Sequence, residues 1–178
     1  MKICIVGQSC AGKTTASEYI ESEFGIPFVE GSDLVWERYS DSAYNGGILE
    51  YVKKEYQEKG RDTFAQPVID RAEKIRKDHV VLSGFRTAEE IRYVIDECEN
   101  VSVITIHANS LLRYQRRIKR DPHSDHSYKD FIIKDFEEYD FGIARTMADF
   151  TDYLIINEST YSELYDRCDE IIDRLLYK

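Results

Sequence analysis

The sequence predicts an α/β fold in which a mostly parallel sheet is covered by helices on both faces. Two observations carry this. Short apolar runs alternate with helical stretches along the 178 residues, and the first run, "KICIV" (2–6), passes directly into a glycine-rich turn that opens a helix. No internal repeat, linker or low-complexity segment interrupts the alternation, so one domain spanning 1–178 is expected.

Taken in order, the first strand is short, apolar and ended by glycine, hence buried. "KTTASEYIESEF" (13–24) reads as a helix and "IPFVE" (26–30) as the second strand. "SDLVWERYS" (32–40) opens on Ser32 or Asp33, both good N-caps. "YNGG" (44–47) breaks the chain; two helices follow, about 47–59 and 62–77, the second with Pro67 near its start. "HVVLS" (79–83) and "VSVITIH" (101–107) are strands, each followed by a helix, at 87–98 and 109–120. Beyond the polar loop "DPHSDHS" (121–127) come helices at 128–140 and 142–150, a fifth strand at 152–157 and a closing helix at 160–178. The stretch 31–77 is too long for a simple crossover and reads as a helical insertion. Ligands in such folds sit at the carboxyl ends of the strands.

Composition narrows the function. With 42% hydrophobic and 33% charged residues the chain reads as globular rather than disordered. A formal net charge of -10 argues against a nucleic-acid binder, which needs a broad basic face. No apolar run approaches the roughly 20 residues of a membrane span. Cys4, Cys10, Cys98 and Cys168 are scattered without metal-binding spacing, and no leader pattern precedes the first strand, so a reduced, cytoplasmic protein is expected.

The most informative stretch is "GQSCAGKTT" (7–15). It fits G-x-x-x-x-G-K-[ST] in the strand–loop–helix setting that a phosphate-binding loop requires. Gly7 and Gly12 allow a backbone path that side chains would block. The N–H groups of Gln8, Ser9, Cys10, Ala11 and Thr15 then help line an anion nest. The helix start adds its positive end. Lys13 places a charge on the β- and γ-phosphates, and Thr14 offers a hydroxyl to Mg²⁺. The loop is therefore expected to bind a nucleoside triphosphate such as ATP.

Further candidates lie where strands end. Arg86, in "VVLSGFRTAEE", is placed to grip an acceptor phosphate bidentately. Asp33 follows the second strand and reads either as a helix cap or as an acceptor base or Mg²⁺-water ligand; Arg38 lies within reach of an acceptor anion. The helix "RYQRRIKR" (113–120) carries five basic residues and no acid, with Arg113, Arg116, Arg117 and Arg120 at three-and-four spacing. Such a face can neutralise phosphates as a lid, here 113–140, closes over the transferring group, with Arg113 and Arg117 as the chosen residues. The alternative is a solvated face that pairs with the acidic segment "KDFEEYD". Arg145 is a further candidate for the nucleotide, whereas "HSDH" (123–126) reads as solvated loop rather than metal ligands.

At these residues the chain resembles the nucleotide-kinase branch of the P-loop proteins. "LSGFRTAEE" resembles the "DGFPRT" turn of adenylate kinases, and "ADFTDYLIINEST" resembles the end of dephospho-coenzyme A kinases. The chain is also similar to small archaeal adenylate kinase-related proteins. Their P-loop, "DG-[IV]-R-S" turn, "H-x-x-x-x-x-R-x-x-R" segment, "GIGEVIALADY" segment and "NE-x-T" close correspond to "GQSCAGKTT", "SGFRT", "HANSLLRYQRR", "GIARTMADFTDY" and "NEST". This resemblance implies a nucleotide-kinase-like three-layer fold with five parallel strands in order 2-3-1-4-5. It implies ATP and Mg²⁺ at Gly7–Thr15 and an acceptor near Asp33, Arg38 and Arg86. One departure stands out: the family's strand-end Asp is Ser83 here. Two functions follow as expectations. One is phosphoryl transfer from ATP to a small phosphate-bearing acceptor; the other is a regulatory protein that binds nucleotide with weak or no transfer.

Overall fold

In the computed structural model, which describes residues 1–121 and 127–177, the apolar runs form one parallel sheet. Its strands are β1 (Lys2–Val6), β2 (Phe28–Glu30), β3 (Val80–Ser83), β4 (Val101–His107) and β5 (Tyr153–Ile156), in the order β2-β3-β1-β4-β5. The helices are α1 (Lys13–Phe24), α2 (Gly31–Asp41), α3 (Ile48–Lys59), α4 (Ala65–Lys74), α5 (Ala88–Glu97), α6 (Ser110–Arg120), α7 (Tyr128–Asp140), α8 (Ile143–Asp149) and α9 (Tyr161–Leu176).

The central strand explains why its sequence is continuously apolar. Ile3 and Ile5 pack on one face with Ala16 and Ile20 of α1 and Leu164, Cys168 and Ile172 of α9. Cys4 and Val6 face the opposite way, toward Val68 and Ile69 of α4 and Ile91 and Val94 of α5. Both faces of the strand are dry, so its alternating side chains must all be apolar. A third cluster joins Tyr51, Val52 and Tyr56 of α3 to Phe64 and Phe141. It fixes α3 against the turn between α7 and α8.

Three boundaries move for identifiable reasons. β2 is shorter than expected because Pro27 has no N–H for the ladder; its carbonyl still accepts from Val81 N–H at 2.9 Å. α2 starts at Gly31, directly after β2, with Glu30 at the N-cap and no side-chain cap bond. Ser32 and Asp33 therefore lie inside the first turn rather than capping it. α4 starts at Ala65, which makes Pro67 its third residue, where a backbone N–H would lack an intrahelical acceptor anyway. The segment "HSDH" lies outside the described residues.

α6 and α7 are joined by a buried ion pair. Arg113 is 1% exposed, and its Nη1 donates to Asp135 Oδ1 at 2.6 Å while Nη2 donates to Oδ2. Its Nε donates to the Ala108 carbonyl at 2.9 Å, and its guanidinium lies 5.4 Å from the centre of the Phe131 ring. Removing one partner would leave the other charge buried and unpaired. Asp135→Ala is therefore expected to cost about 3–5 kcal/mol of unfolding free energy. Denaturant titration checks this, and a loss below about 1 kcal/mol would show that the pair is not the joint between the helices.

Candidate functional site

The glycine-rich loop is held from behind by its carbonyls. Lys13 Nζ donates to the carbonyls of Gly7 at 2.9 Å and Gln8 at 3.0 Å. Arg113 Nη1 donates to Ser9 O at 3.2 Å, and Arg116 Nη1 to Cys10 O at 3.4 Å and Ala11 O at 3.3 Å. Asn157 Nδ2 adds a bond to Ala11 O at 2.8 Å. Every carbonyl from Gly7 to Ala11 thus has a side-chain donor. With the carbonyls taken, and Ala11 N–H bonded to Gln8 O at 3.2 Å, the other N–H groups are the loop's donors toward an anion.

Both glycines of the loop are required by contact. At Gly7 (φ 147°) a Cβ would collide with the Ile106 carbonyl of β4. At Gly12 (φ 109°) it would collide with the Asn157 amide. Cys10 also takes a left-handed φ of 61°, unusual for a residue with a side chain. α1 begins immediately after, with no side-chain cap and no acid in its first turn. Its first amides have no intrahelical acceptor, which makes this terminus receptive to an anion.

The loop forms one wall of a cleft of about 1110 Å³ along the carboxyl edge of the sheet. Pockets for a small ligand run to about 300–1,000 Å³, so the cleft is as large as the upper end of that range. On the β2–β3 side it is lined by Glu30, Ser32, Trp36, Phe85 and Arg86. On the other side stand Arg116, Arg117, Lys119 and Arg120 of α6, together with Asn157, Thr160 and Tyr161.

α7 places a carboxylate at the loop. Glu138 Oε2 accepts from Ser9 N–H at 2.9 Å, Glu138 Oε1 accepts from the Ser9 hydroxyl, and Arg86 Nη1 donates to Oε1 at 3.2 Å. From the next residue of α7, the Tyr139 hydroxyl accepts from Gln8 Nε2 at 2.9 Å. Burial alone would raise the Glu138 carboxyl, but Arg86, the two Ser9 bonds and Lys13 outweigh it and hold it below the usual carboxylate range. Burial holds the Lys13 ammonium below its ordinary value, with Glu138 working against that shift.

The expected residues divide by place. Gly7, Ser9, Cys10, Gly12, Lys13, Thr14 and Thr15 line the cleft, as do Arg86 and Arg117. Gln8 and Ala11 are buried in support of the loop. Arg113 stands behind the loop rather than in the cleft; it is buried, unlike a solvated face, and pairs with Asp135 of the acidic segment. Its neighbour Arg116 both lines the cleft and braces the loop. Asp33 is exposed and is not among the cleft-lining residues. Arg38 turns to the Thr63 carbonyl at 3.3 Å and the Phe64 ring at 5.6 Å. Arg145 is exposed and pairs with Asp149 at 3.2 Å within α8.

Sequence reasoning missed Glu30, Trp36 and Glu138. Glu30 pairs in register with Ser83 at the carboxyl edge of the sheet. Ser83 is fully buried, and its Oγ has no hydrogen-bond partner. The acid on that edge therefore comes from β2, next to the position where the resemblance places one on β3. The placement of "VE" before a helix was the available signal for Glu30. Nothing local distinguishes Glu138 from its acidic neighbours.

The profile of the AAA domain family matches residues 3–139. A UPF0200 protein of Sulfurisphaera tokodaii is 32% identical over 177 residues, covering 98% of this chain and 97% of that protein. A UPF0200 protein of Saccharolobus solfataricus is 30% identical over 179 residues, covering 98% and 93%. Among solved structures, a shikimate kinase from Bacteroides thetaiotaomicron superposes with a TM-score of 0.61 at 13% identity, over 100% of this chain and 99% of that one. A Thermus thermophilus protein gives 0.66 at 13% identity, over 99% and 97%. These likenesses show the fold.

The charge on Glu138 makes a pH prediction. A carboxyl whose folded pKa is depressed adds stability that is present above its unfolded pKa, about 4.3, and is lost as pH falls through the folded value. The stability difference between wild type and Glu138→Gln is therefore expected to stay level from pH 7 to pH 5 and to shrink only below about pH 4. Denaturant unfolding across that range checks it. A difference that has already vanished at pH 5 would contradict the Arg86–Glu138–Ser9 arrangement.

Proposed function

The chain belongs to the UPF0200 family and carries an AAA domain, and on that premise we propose that it transfers the terminal phosphoryl group of ATP to a small acceptor. The observation that carries this reading is the continuity of the cleft. Loop, basic helix and the β2–β3 edge open onto one space.

In this reading the amides of Gly12–Thr15 and the Lys13 ammonium hold the β- and γ-phosphates. Arg116, Arg117, Lys119 and Arg120 neutralise phosphate charge from the α6 side, and residues 113–140 serve as the lid. The segment 31–77 forms the acceptor side, with Glu30, Ser32, Trp36 and Arg86 facing the cleft. Phosphoryl transfer asks for this kind of positioning and charge neutralisation more than for covalent catalysis.

The residues present fit Mg²⁺ carried by the nucleotide. Among the described residues no three His, Cys, Asp or Glu side chains gather as a metal cage. Mg²⁺ needs none: it keeps several waters and takes one or two protein oxygens beside the phosphates. Thr14 and Glu30 supply hard oxygen donors along the cleft. When bound, the ion offsets charge on the transferring group. Adenylate kinase-like and dephospho-coenzyme A kinase-like acceptors both belong to this reading.

A second reading has its own support. Glu138 is seated on the loop, and Ser83 stands where the resemblance expects an acid. Both favour a nucleotide-binding regulator with little transfer.

The two readings separate in a transfer assay with MgATP against nucleoside monophosphates, nucleosides and dephospho-coenzyme A. Lys13→Ala is expected to abolish both ATP binding and transfer. Arg86→Ala is expected to leave ATP binding within about threefold while lowering transfer by 100-fold or more, the scale for losing a group that stabilises the transferring charge. Transfer unchanged in Arg86→Ala would overturn the acceptor-side assignment. ATP binding with no product on any acceptor would favour the regulator. Trp36 is the one tryptophan in the sequence and is 52% exposed on the acceptor side. An accepted substrate is therefore expected to change the intrinsic tryptophan emission, whereas ATP alone leaves it near its starting value. A screen by fluorescence titration checks this.

A further inference from the structure

α7 meets the phosphate loop through three side chains on one side of the helix. Asp135, Glu138 and Tyr139 recur at three-and-four spacing and bind Arg113, Ser9 and Gln8 respectively. The three contacts differ in kind. Asp135 is 6% exposed and pairs behind the loop with Arg113, away from the cleft. The Glu138 side chain is 15% exposed and lies in the cleft itself, among Ser9, Gly12, Lys13 and Arg86.

The partners of Glu138 are groups that a phosphate would seek. The Ser9 amide and hydroxyl donate to it, the Arg86 guanidinium pairs with it, and the Lys13 ammonium lies close enough to feel its charge. A carboxylate with two acceptor oxygens is the side chain best able to satisfy a set of donors arranged for an anion. The first turn of α1 carries no acid, and Glu138 places a negative charge directly on the loop's donors.

We propose that Glu138 is an internal anion that holds the place of a terminal phosphate on this loop, so that triphosphate binding displaces it and releases Arg86. This rests on the reading of the loop as a nucleotide site and adds a determinant of which nucleotide the site prefers. Two negative groups cannot share the Ser9 amide and hydroxyl. A triphosphate must therefore compete with Glu138, whereas a diphosphate ends short of it. Asp135, paired behind the loop, keeps α7 anchored while the Glu138 contact opens. The released Arg86 is then available to an acceptor on the β2–β3 side.

Isothermal titration of wild type and Glu138→Gln with MgATP and MgADP tests this. Removing the competing charge is expected to tighten ATP by about tenfold or more, and ADP by less than about threefold. Equal or weaker ATP binding in Glu138→Gln, with wild type binding normally, overturns the proposal alone and leaves the nucleotide site standing. A gain of equal size for both nucleotides overturns the placement at the terminal phosphate. If wild type and variant bind neither nucleotide, the reading of the loop fails and the proposal with it. Amide hydrogen exchange on wild type keeps the test open if the variant does not fold. MgATP is expected to speed exchange around residues 137–141, MgADP to leave it unchanged, and equal exchange in both states overturns the displacement.

Discussion

The structure depends on keeping the carbonyls of residues 7–11 bonded to side chains of the protein itself. Five consecutive carbonyls accept from Lys13, Arg113, Arg116 and Asn157. Buried peptide groups need partners, so the direction in which the carbonyls are satisfied decides the direction in which the amides are offered. That requirement recruits distant parts of the chain. α6 supplies two arginines, and the residue after β5 supplies the asparagine. The close approach at Gly7 ties the same loop to the backbone of β4.

This explains a division of labour that charge counting alone would blur. The basic helix α6 reads as one positive face, yet its arginines serve two ends. Arg113 is spent on structure, bonded to Asp135 and the loop, while Arg117, Lys119 and Arg120 remain in the cleft. Arg116 does both. The acidic segment of α7 is divided in the same way: Asp135 anchors, and Glu138 faces the loop. Opposite charges at helical spacing on two packed helices thus build a joint and a site from the same sequence pattern.

The fold was legible because its signals are local. Apolar runs, helical periodicity and the glycine-rich turn each lie within about a dozen residues, and the strand order followed from the resemblance. The loop residues were legible for the same reason. What escaped was direction. Three-and-four spacing puts Arg113 and Arg117 on one side of a helix but does not say which meets the loop and which the cleft. Arg38 and Arg145 were attractive for their position, yet their guanidinium groups bond to the Thr63 carbonyl and the Asp149 carboxylate. Asp33 lies exposed in the first turn of α2, which starts at Gly31, while Glu30 and Ser32 line the cleft. Glu138 lies 129 residues from Ser9, and only the folded chain brings them together.

The carbonyl bonding of the loop leaves its amides preset for phosphate. The most direct measurement is a structure of the protein crystallised with Mg²⁺ and a non-hydrolysable ATP analogue. The β-phosphate is expected within hydrogen-bond distance of the Gly12–Thr15 amides, with the carbonyls of residues 9–11 still bonded to Arg113, Arg116 and Asn157 and the Glu138 carboxylate withdrawn from Ser9. A nucleotide bound elsewhere, or a loop whose carbonyls must turn into the cleft before phosphate can enter, would contradict it.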